Sequence, residues 1–233
     1  MWNKEIVEAA ARNNANWCAA VCRSHGIGSR STRNAWLCDG DPPPYYPRLV
    51  SLTNDRNDLQ HAMLAHRRQG SHDDWGAKDS FGVLDEGAVW SRLFEAVWYA
   101  RPPGSHPGET GRASVAGTSA ALERWVEAWG QTPPGRPVFV PGILSEPGVS
   151  FLHDGAFLGG LVAYRSPEVG DIIGVSNFFG QAEARNGCLA WLTQTNPGCT
   201  IVGYGPEDDV ASVSRLGFKT VGPLTVWLVR ALD

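Results

Sequence analysis

The sequence predicts a mixed α/β protein, in which helices pack on a sheet that contains both parallel and antiparallel strands. Strand-like and helix-like segments alternate from about residue 149 to the end of the chain, in the order β-β-β-α-β-α-β. The stretch 171–205 is typical of a strand, a glycine-containing turn, a helix and a strand, which indicates a right-handed parallel crossover. A strand pattern and a strong helix pattern precede this region, so one sheet can account for residues 86–233.

The composition is that of a globular protein. The 233 residues are 42% hydrophobic and 19% charged, which is enough for a sizeable core. The formal net charge of −4 argues against a broad nucleic-acid-binding surface, although it allows a local basic patch. No apolar run approaches the ~18 residues of a membrane-spanning helix, and the N-terminus does not resemble a signal peptide. We therefore expect a cytoplasmic protein with no membrane partner.

The spacing of cysteines and histidines gives no metal signature. Five cysteines lie at uneven intervals, and the three histidines between 61 and 72 lack the i, i+4 spacing of zinc ligands. Cys18 and Cys22 share one face of a predicted helix. They could form a metal or redox pair or, more simply, be two small apolar side chains of a core. We predict no bound metal, and reduced thiols.

The first 85 residues are predicted to form an extension that packs on the core. Residues 1–24 have the pattern of an amphipathic helix. Short strands are expected in "AWLCDG" and "RLVSLT", and a second helix is expected after Asp55. The predicted division is therefore an N-terminal extension at 1–85 and a main domain at 86–233.

The main domain is predicted element by element from its patterns. "SRLFEAVWYA" is largely apolar on both faces, which indicates a buried strand. "SVAGTSAALERWVEAWG" predicts a helix that buries Trp125 and Trp129 and stops at Gly130. "VSFLHDG" and "AFLGGLVAYRS" predict a hairpin around the turn Asp154-Gly155. The remaining elements are a strand in 171–179, a helix in "EARNGCLAWLTQT", a strand in "CTIVGYG", a helix in "EDDVASVSRLG" and a long strand in "FKTVGPLTVWLVR".

The order of these elements and the stretch "EDDVASVSRLGFKTVGPL" resemble the GCN5-related N-acetyltransferase (GNAT) superfamily. In that family the last helix runs into Leu-Gly-Phe and a final strand, and the match here extends from about Leu93 to Arg230. The resemblance implies a GNAT-like fold with an N-terminal helical extension. It also implies an acyltransferase, which binds acyl-CoA where its fourth and fifth strands diverge and passes the acyl group to an amine.

The resemblance places the acyl-CoA site on the fourth strand and on the turn that follows it. The backbone of that strand would bind the pantetheine arm, and N–H groups at a helix start would bind the pyrophosphate. The turn would span 180–187, with the helix starting at Cys188. The family pattern Gln/Arg-x-x-Gly-x-Gly/Ala is only partly present in "FFGQAEARNG". The candidates for binding the donor are Val175, Phe178, Phe179, Gly180, Gln181, Arg185, Asn186 and Gly187.

Four residues are candidates for catalysis. The family often has a tyrosine four residues before the glycine of "LGF", where this chain has Val213; Tyr204 is a possible substitute or a packing residue. Ser176 and Asn177 are polar within an apolar strand, where a buried polar group needs a partner or a ligand. Glu95 could be a general base whose pKa is raised by burial, or it could face solvent.

The substrate-binding candidates come from the extension and from the aromatic segments. Asp79 and Ser80 could reach the pocket from the extension. Trp90 and Trp98 could form a pocket wall, although aromatic residues in such segments often belong to a core.

Three functions are compatible with the sequence. The first is N-acyl transfer from acyl-CoA to a small-molecule amine. The second keeps the fold but takes the acyl group from aminoacyl-tRNA or from a carrier-protein thioester; a tRNA donor would require a basic patch near the cleft. The third is a non-catalytic binding module. The basic patch required by a tRNA donor would consist of Arg23, Arg30, Arg33, Arg67 and Arg68.

The oligomeric state is left open by the sequence. The exposure of the final strand would decide whether two sheets can pair in a dimer.

Overall fold

The computed structural model describes residues 3–56, 59, 74–85, 90–104 and 111–230. The helix expected after Asp55 falls largely outside these residues. The described α-helices are α1 (Lys4–Ser24), α2 (Ser119–Trp129), α3 (Ala182–Thr195) and α4 (Glu207–Ser214). The strands are β1 (Ser29–Ser31), β2 (Ala35–Cys38), β3 (Leu49–Ser51), β4 (Trp75–Asp79), β5 (Trp90–Arg101), β6 (Ser114–Val115), β7 (Val149–His153), β8 (Gly159–Tyr164), β9 (Ile172–Gly180), β10 (Thr200–Gly205) and β11 (Lys219–Val229).

All eleven described strands belong to one mixed sheet. Their spatial order is β1-β2-β3-β4-β11-β5-β10-β9-β8-β7-β6. The pairs β3–β4 and β9–β10 are parallel, and every other neighbouring pair is antiparallel. The predicted mixed sheet is thus confirmed. The final strand β11 lies between β4 and β5, so neither of its edges is free to pair with a second copy of the chain.

Helices cover both faces of the sheet. On one face, Trp17 of α1 and Trp125 of α2 share a core with Phe151 and Val162 of the hairpin. On the opposite face, α3 and α4 pack against the sheet, with Ile201 of β10 among the buried residues. Successive residues of a strand point to opposite faces, which is why apolar residues line both sides of β9 and β10.

The local signals that predicted α2 and the hairpin are confirmed. The Thr118 hydroxyl accepts a hydrogen bond from the N–H of Ala121 at the start of α2, and Gly130 ends the helix in the left-handed conformation. The hairpin turns through 154–158, where the Asp154 carboxylate accepts a hydrogen bond from the N–H of Leu158. None of the helices in the described residues combines the length and apolar character needed to cross a membrane.

The N-terminal segment is continuous with the main sheet. Strands β1 to β4 extend the sheet beyond β11, and β4 pairs with β11 in antiparallel register from Asp79 opposite Thr225 to Trp75 opposite Val229. Helix α1 lies across the sheet and packs through Val7 and Ala10 against β5, β10 and β11. The boundary expected near residue 85 stays a prediction; strands on both sides of it pair in the same sheet.

The expectation that β5 is a buried strand holds for only part of its length. Its second half is mostly buried, but residues 92–95 are exposed. Residues 92–95 are exposed because the neighbouring strand β10 is shorter than β5. It pairs only with Val97–Arg101, so the first half of β5 extends beyond the end of β10.

Helix α1 is held to the sheet by Asn13. Its side-chain amide donates hydrogen bonds to the carbonyl oxygens of Tyr164 and Ile172, at 3.3 and 3.4 Å. Gly174 lies directly beneath, and a Cβ at that position would overlap the Asn13 side chain. The absence of a side chain at Gly174 therefore allows α1 to approach the point where β9 and β10 meet.

We predict that Asn13→Ala lowers the free energy of unfolding by about 1–3 kcal/mol, because it leaves two backbone carbonyl groups without their side-chain donor. Urea denaturation monitored by tryptophan fluorescence measures the change. Arg12→Ala, at the exposed neighbouring position, is the matched control and should change stability by less than about 0.5 kcal/mol. Equal effects of the two substitutions would contradict the assigned role.

Candidate functional site

The candidate site begins where strands β9 and β10 diverge. The two strands pair in parallel only at Ile172–Thr200, Ile173–Ile201 and Gly174–Val202. Beyond these pairs β9 continues to Gly180 beside β8, while β10 continues to Gly205 beside β5. The β9 residues after Gly174 have no backbone partner on β10, so a cleft opens between the two strands.

A β-bulge redirects β9 at this opening. Ser176 is opposite Val162 and Phe179 is opposite Gly160, so two residues of β9, Asn177 and Phe178, face the single residue between them on β8. Asn177 has φ 53°, a left-handed conformation that asparagine tolerates better than most residues. Bulges of this kind re-aim side chains and interrupt pairing, and they are common beside active sites.

The cleft contains polar side chains from several elements. A cavity of about 320 Å³ opens beside the bulge, and a second cavity of about 480 Å³ shares five of its residues, so the two are continuous. The Ser176 hydroxyl donates to the Asn177 side-chain oxygen at 2.8 Å. The shared lining residues are Tyr45, Tyr46, Lys78, Phe94 and Tyr204.

Lys78 contributes a buried positive charge to the cleft. Its side chain comes from β4, is only 6% exposed, and donates a hydrogen bond to the Asn14 side-chain oxygen at 3.1 Å. The ammonium lies 4.7 Å from the centre of the Tyr204 ring. Burial lowers the pKa of Lys78, but the neighbouring Tyr204 and Cys18 groups raise it, and the net direction is upward.

Tyr204 is held in place by a buried tryptophan. Its ring packs edge-to-face on Trp98, with centroids 5.2 Å apart. The indole N–H of Trp98 donates to the Ser80 hydroxyl at 2.9 Å. Ser80 and Trp98 are both buried, so they support the wall that carries Tyr204 and contribute little surface of their own to the cleft.

Helix α3 begins earlier than the resemblance implied. It starts at Ala182, so Arg185, Asn186 and Gly187 lie within the helix, and their predicted place in a loop is wrong. The first helical hydrogen bond runs from the Arg185 N–H to the Gln181 carbonyl, which leaves the N–H groups of residues 182–184 without helical acceptors. The Gln181 side chain makes no capping bond, and residues 180–183 are exposed. This helix start can accept an anion.

Gly180 is explained by packing. It has φ 75°, and a Cβ there would overlap the Leu158 carbonyl and Gly159 on the neighbouring strand. The glycine is therefore required by the close approach of β8 and β9, whatever the adjacent helix start binds.

Several predicted site residues lie away from the cleft. Glu95 points to the opposite face from Phe94, its side chain is 67% exposed, and it pairs with Arg92 at 2.6 Å. Of the two positions expected for Glu95, buried or facing solvent, the structure shows the second. Asp79 is buried, but its carboxylate accepts hydrogen bonds from the Ser51 hydroxyl and from three backbone N–H groups, so it stabilises a loop.

Other candidates pack in the cores. Val175 faces the α3 side of the sheet, and the Phe179 ring packs edge-to-face on Trp125 with centroids 5.0 Å apart. Trp90 contacts Trp75 at the far end of the sheet. Val213, at the position of the family's tyrosine, is a buried residue of the core beneath α4. Of the predicted residues, Ser176, Asn177, Phe178 and Tyr204 line the 320 Å³ cavity.

The N-terminal segment contributes to the cleft, as expected, but through other residues than Asp79 and Ser80. Asn14 and Trp17 of α1 line the cavity, as does Tyr46 of the proline-rich segment. The sequence signal for this contribution was Lys78, a charged residue within the short strand segment "WGAKD". Lys78 shares one face of that strand with Gly76, and its neighbours Ala77 and Asp79 lie on the other face. Period-two alternation places its side chain on the α1 face of the sheet.

The arginines proposed for a basic patch are partly neutralised. Arg23 pairs with Glu146 at 2.6 Å, and Arg30 pairs with Asp39. Arg67 and Arg68 lie outside the described residues. The described part of the chain contains no group of three or more His, Cys, Asp and Glu side chains that could hold a metal ion. Cys22 lies 3.7 Å from Cys38, Sγ to Sγ, and both are buried among apolar residues together with Cys18.

Solved structures with the same arrangement identify the fold. A GCN5-related N-acetyltransferase from Kribbella flavida has a TM-score of 0.64 at 16% identity, covering 94% of this chain and 95% of that one. A putative acetyltransferase from the GNAT family of Novosphingobium aromaticivorans has a TM-score of 0.60 at 12% identity, covering 93% and 96%. The chain has the GNAT fold.

The GNAT-fold likeness includes the N-terminal segment, because it covers more than nine-tenths of this chain in both structures. A functionally unknown conserved protein from Staphylococcus epidermidis has a TM-score of 0.55 at 10% identity, covering 87% of this chain and 93% of that one. No protein-family model matches the chain, and no curated protein matches it. At these identities the likeness establishes the GNAT fold and leaves the chemistry to the residues of the cleft.

We predict that Asn177→Val lowers the free energy of unfolding by about 1–2 kcal/mol more than Asn177→Gly. Both substitutions remove the hydrogen bond with Ser176, but only valine opposes the left-handed backbone of the bulge. Urea denaturation of the two variants gives the difference directly. If valine were tolerated as well as glycine, the bulge would not depend on a strained backbone at this position.

Proposed function

We propose that this protein is an N-acyltransferase that moves an acyl group from acyl-CoA to the amine of a small molecule. The observation that carries the proposal is the cleft between β9 and β10, with the bulge at Asn177 on one side and Tyr204 on the other. In this arrangement the backbone of β9 beyond Gly174 is available to an extended ligand, as a free strand edge is in other complexes. The GNAT fold of the chain supports this reading.

The donor would lie along β9, with its phosphates toward α3. The N–H groups of residues 182–184 would donate hydrogen bonds to the pyrophosphate oxygens, and the helix dipole would add to the attraction. The thioester would then reach the bulge, where Asn177 and Phe178 interrupt the pairing with β8. The two assigned regions are adjacent in the chain, since β9 ends at Gly180 and α3 begins at Ala182.

The proposed reaction is direct attack of the amine on the thioester. The nitrogen lone pair forms the new bond to the carbonyl carbon, the carbon–sulfur bond breaks, and CoA leaves as a thiolate. The Tyr204 hydroxyl donates a proton to that thiolate, and the proton released by the amine restores the hydroxyl. Lys78 lies against the Tyr204 ring, and its positive charge stabilises the negative charge that develops during the exchange.

One feature of α3 favours a different donor. Glu183 is exposed in the first turn, where its carboxylate opposes the binding of a pyrophosphate. A carrier-protein thioester or an aminoacyl-tRNA would place other groups near this helix start. Isothermal titration with acetyl-CoA and with desulfo-CoA separates the donors. Micromolar binding of both ligands is the expected result. If neither binds at millimolar concentration, acyl-CoA is not the donor, and the carrier-protein thioester and aminoacyl-tRNA are the donors to test next.

We predict that Glu183→Gln strengthens CoA binding about two- to fivefold at low ionic strength, because it removes a negative charge from the helix start that would hold the phosphates. The gain should shrink as salt is added, since salt screens charges at an exposed site. Glu127→Gln, on the exposed face of α2, is the control and should leave the affinity unchanged. An equal response of the two variants would mean that the phosphates bind elsewhere.

We predict that Tyr204→Phe lowers kcat roughly 100-fold or more with the best acceptor from a panel of amines, because it removes the proton donor for the thiolate. The phenyl ring keeps its edge-to-face contact with Trp98 and its position beside Lys78, so the affinity for acetyl-CoA in titration should not change. Full activity in this variant would show that Tyr204 serves packing alone.

A further inference from the structure

The Lys78 ammonium is a buried charge with neutral partners. Its described contacts are the Asn14 side-chain oxygen, at 3.1 Å, and the Tyr204 side chain. An ammonium has three donors, and its burial is unfavourable unless an opposite charge accompanies it. Lys78 nevertheless lines both parts of the cleft. A buried cation at a cavity wall is a site at which an anion can complete the charge balance.

Two acidic side chains near Lys78 are directed elsewhere, and a third, Asp74, lines the larger cavity and has an interaction of its own. Asp79, the next residue, points to the opposite face of β4 and is saturated by four hydrogen bonds. Asp41, on the rim of the larger cavity, pairs with Arg48 at 3.1 Å and with Arg136 at 2.8 Å. Among the described residues, no carboxylate forms an ion pair with Lys78.

We propose that Lys78 binds a carboxylate of the acceptor, so that the substrate of this enzyme is an amino acid or a closely related amino-carboxylate. This inference rests on the proposed acyl transfer, because it assigns the acceptor for the same cleft. Asn14 is a positioning residue: its hydrogen bond fixes the ammonium at the cavity wall. Among the described residues that line the two cavities, the other cation, Arg136, is paired with Asp41, and a single ammonium matches a monovalent carboxylate better than a phosphate.

The geometry also limits the distance between the two functional groups of the acceptor. Lys78 lies against the ring of Tyr204, whose hydroxyl is assigned to the leaving thiolate. A carboxylate bound to Lys78 therefore lies close to the reacting amine, as in an α-amino acid. The rest of the larger cavity is largely apolar, which suits an aromatic or aliphatic side chain. Its apolar lining includes Tyr45, Tyr46, Phe94, Val226 and Leu228.

Binding of a matched ligand series to the protein tests the inference without requiring turnover. Phenylalanine, phenylalaninamide and phenethylamine share a ring and an amine and differ only at the carboxylate. By isothermal titration in the presence of CoA, phenylalanine should bind about 10- to 100-fold more tightly than the other two, because it alone carries an anionic group that can form an ion pair with Lys78. Equal affinities, or binding of none of the three, would overturn the inference.

Substitution of Lys78 assigns the preference to that residue. Lys78→Met should reduce the preference for the carboxylate to about threefold or less, whereas Lys219→Met, at an exposed position of β11, should leave it intact. Replacing a buried charge by an apolar side chain of similar length is often neutral for folding. A folded Lys78→Met variant that retains the full preference would overturn the inference. If that variant does not fold, the ligand series on the unsubstituted protein decides alone.

Failure of this inference and failure of the proposed function give different results. Acetyl transfer to phenethylamine as efficient as transfer to phenylalanine would keep the acyltransferase and reject the carboxylate site. Carboxylate-dependent binding that Lys78→Met abolishes, without transfer from any donor, would keep the carboxylate site and reject the enzyme.

Discussion

The separation of β9 from β10 is the constraint on which the rest of the site depends. A parallel pair in the middle of a sheet would normally continue until one strand ends, but this one stops after three residue pairs. Each strand keeps its other neighbour, so the sheet loses pairing only along the two facing edges. The unpaired edges are stable because water or a ligand can take the place of the missing strand, whereas a closed sheet could bind neither.

Two features hold the strands apart. The bulge at Asn177 turns β9 away just after the last pair, and Asn13 of α1 binds the backbone on the β8–β9 side of the junction. Gly174 connects the two features, because its missing side chain leaves room for Asn13. Helix α1 therefore helps to set the width of the cleft, and Asn14, one residue further along, places the Lys78 ammonium at its wall.

The sequence predicted the elements of the fold well and the contents of the cleft less well. The hairpin, the crossover and α2 have strong local signals, such as the Asp154-Gly155 turn and the Gly130 stop, and all are present. The polar residues Ser176 and Asn177 within an apolar strand both line the cavity, and their assignment to catalysis stays a prediction. The burial of Glu95 could not be predicted in the same way. Alternation shows which face of a strand a residue lies on, but it does not show where the neighbouring strand ends, and β10 ends before it reaches Glu95.

Lys78 was missed for a related reason. The residues next to Lys78 in the chain do not show that it lies beside Asn14 and Tyr204. Asn14 precedes Lys78 by 64 residues, and Tyr204 follows it on β10. Such contacts arise only when β4 is placed next to β11 and α1 is laid across the sheet. Pattern reasoning identifies the elements that are close in the chain, and it cannot supply this long-range pairing.

The two halves of the cleft come from different parts of the chain, and under the proposed function this division would separate the two substrates. The proposed donor side consists of β9, the bulge and the start of α3, which belong to the parallel crossover. The proposed acceptor side consists of α1, the segment around Tyr45 and Tyr46, and β4 with Lys78. Because Lys78 is buried and its ammonium bonds to α1, a change of acceptor would require changes in the N-terminal segment, while the donor side could stay the same. We therefore propose that specificity for the amine is encoded mainly in the residues that precede β5.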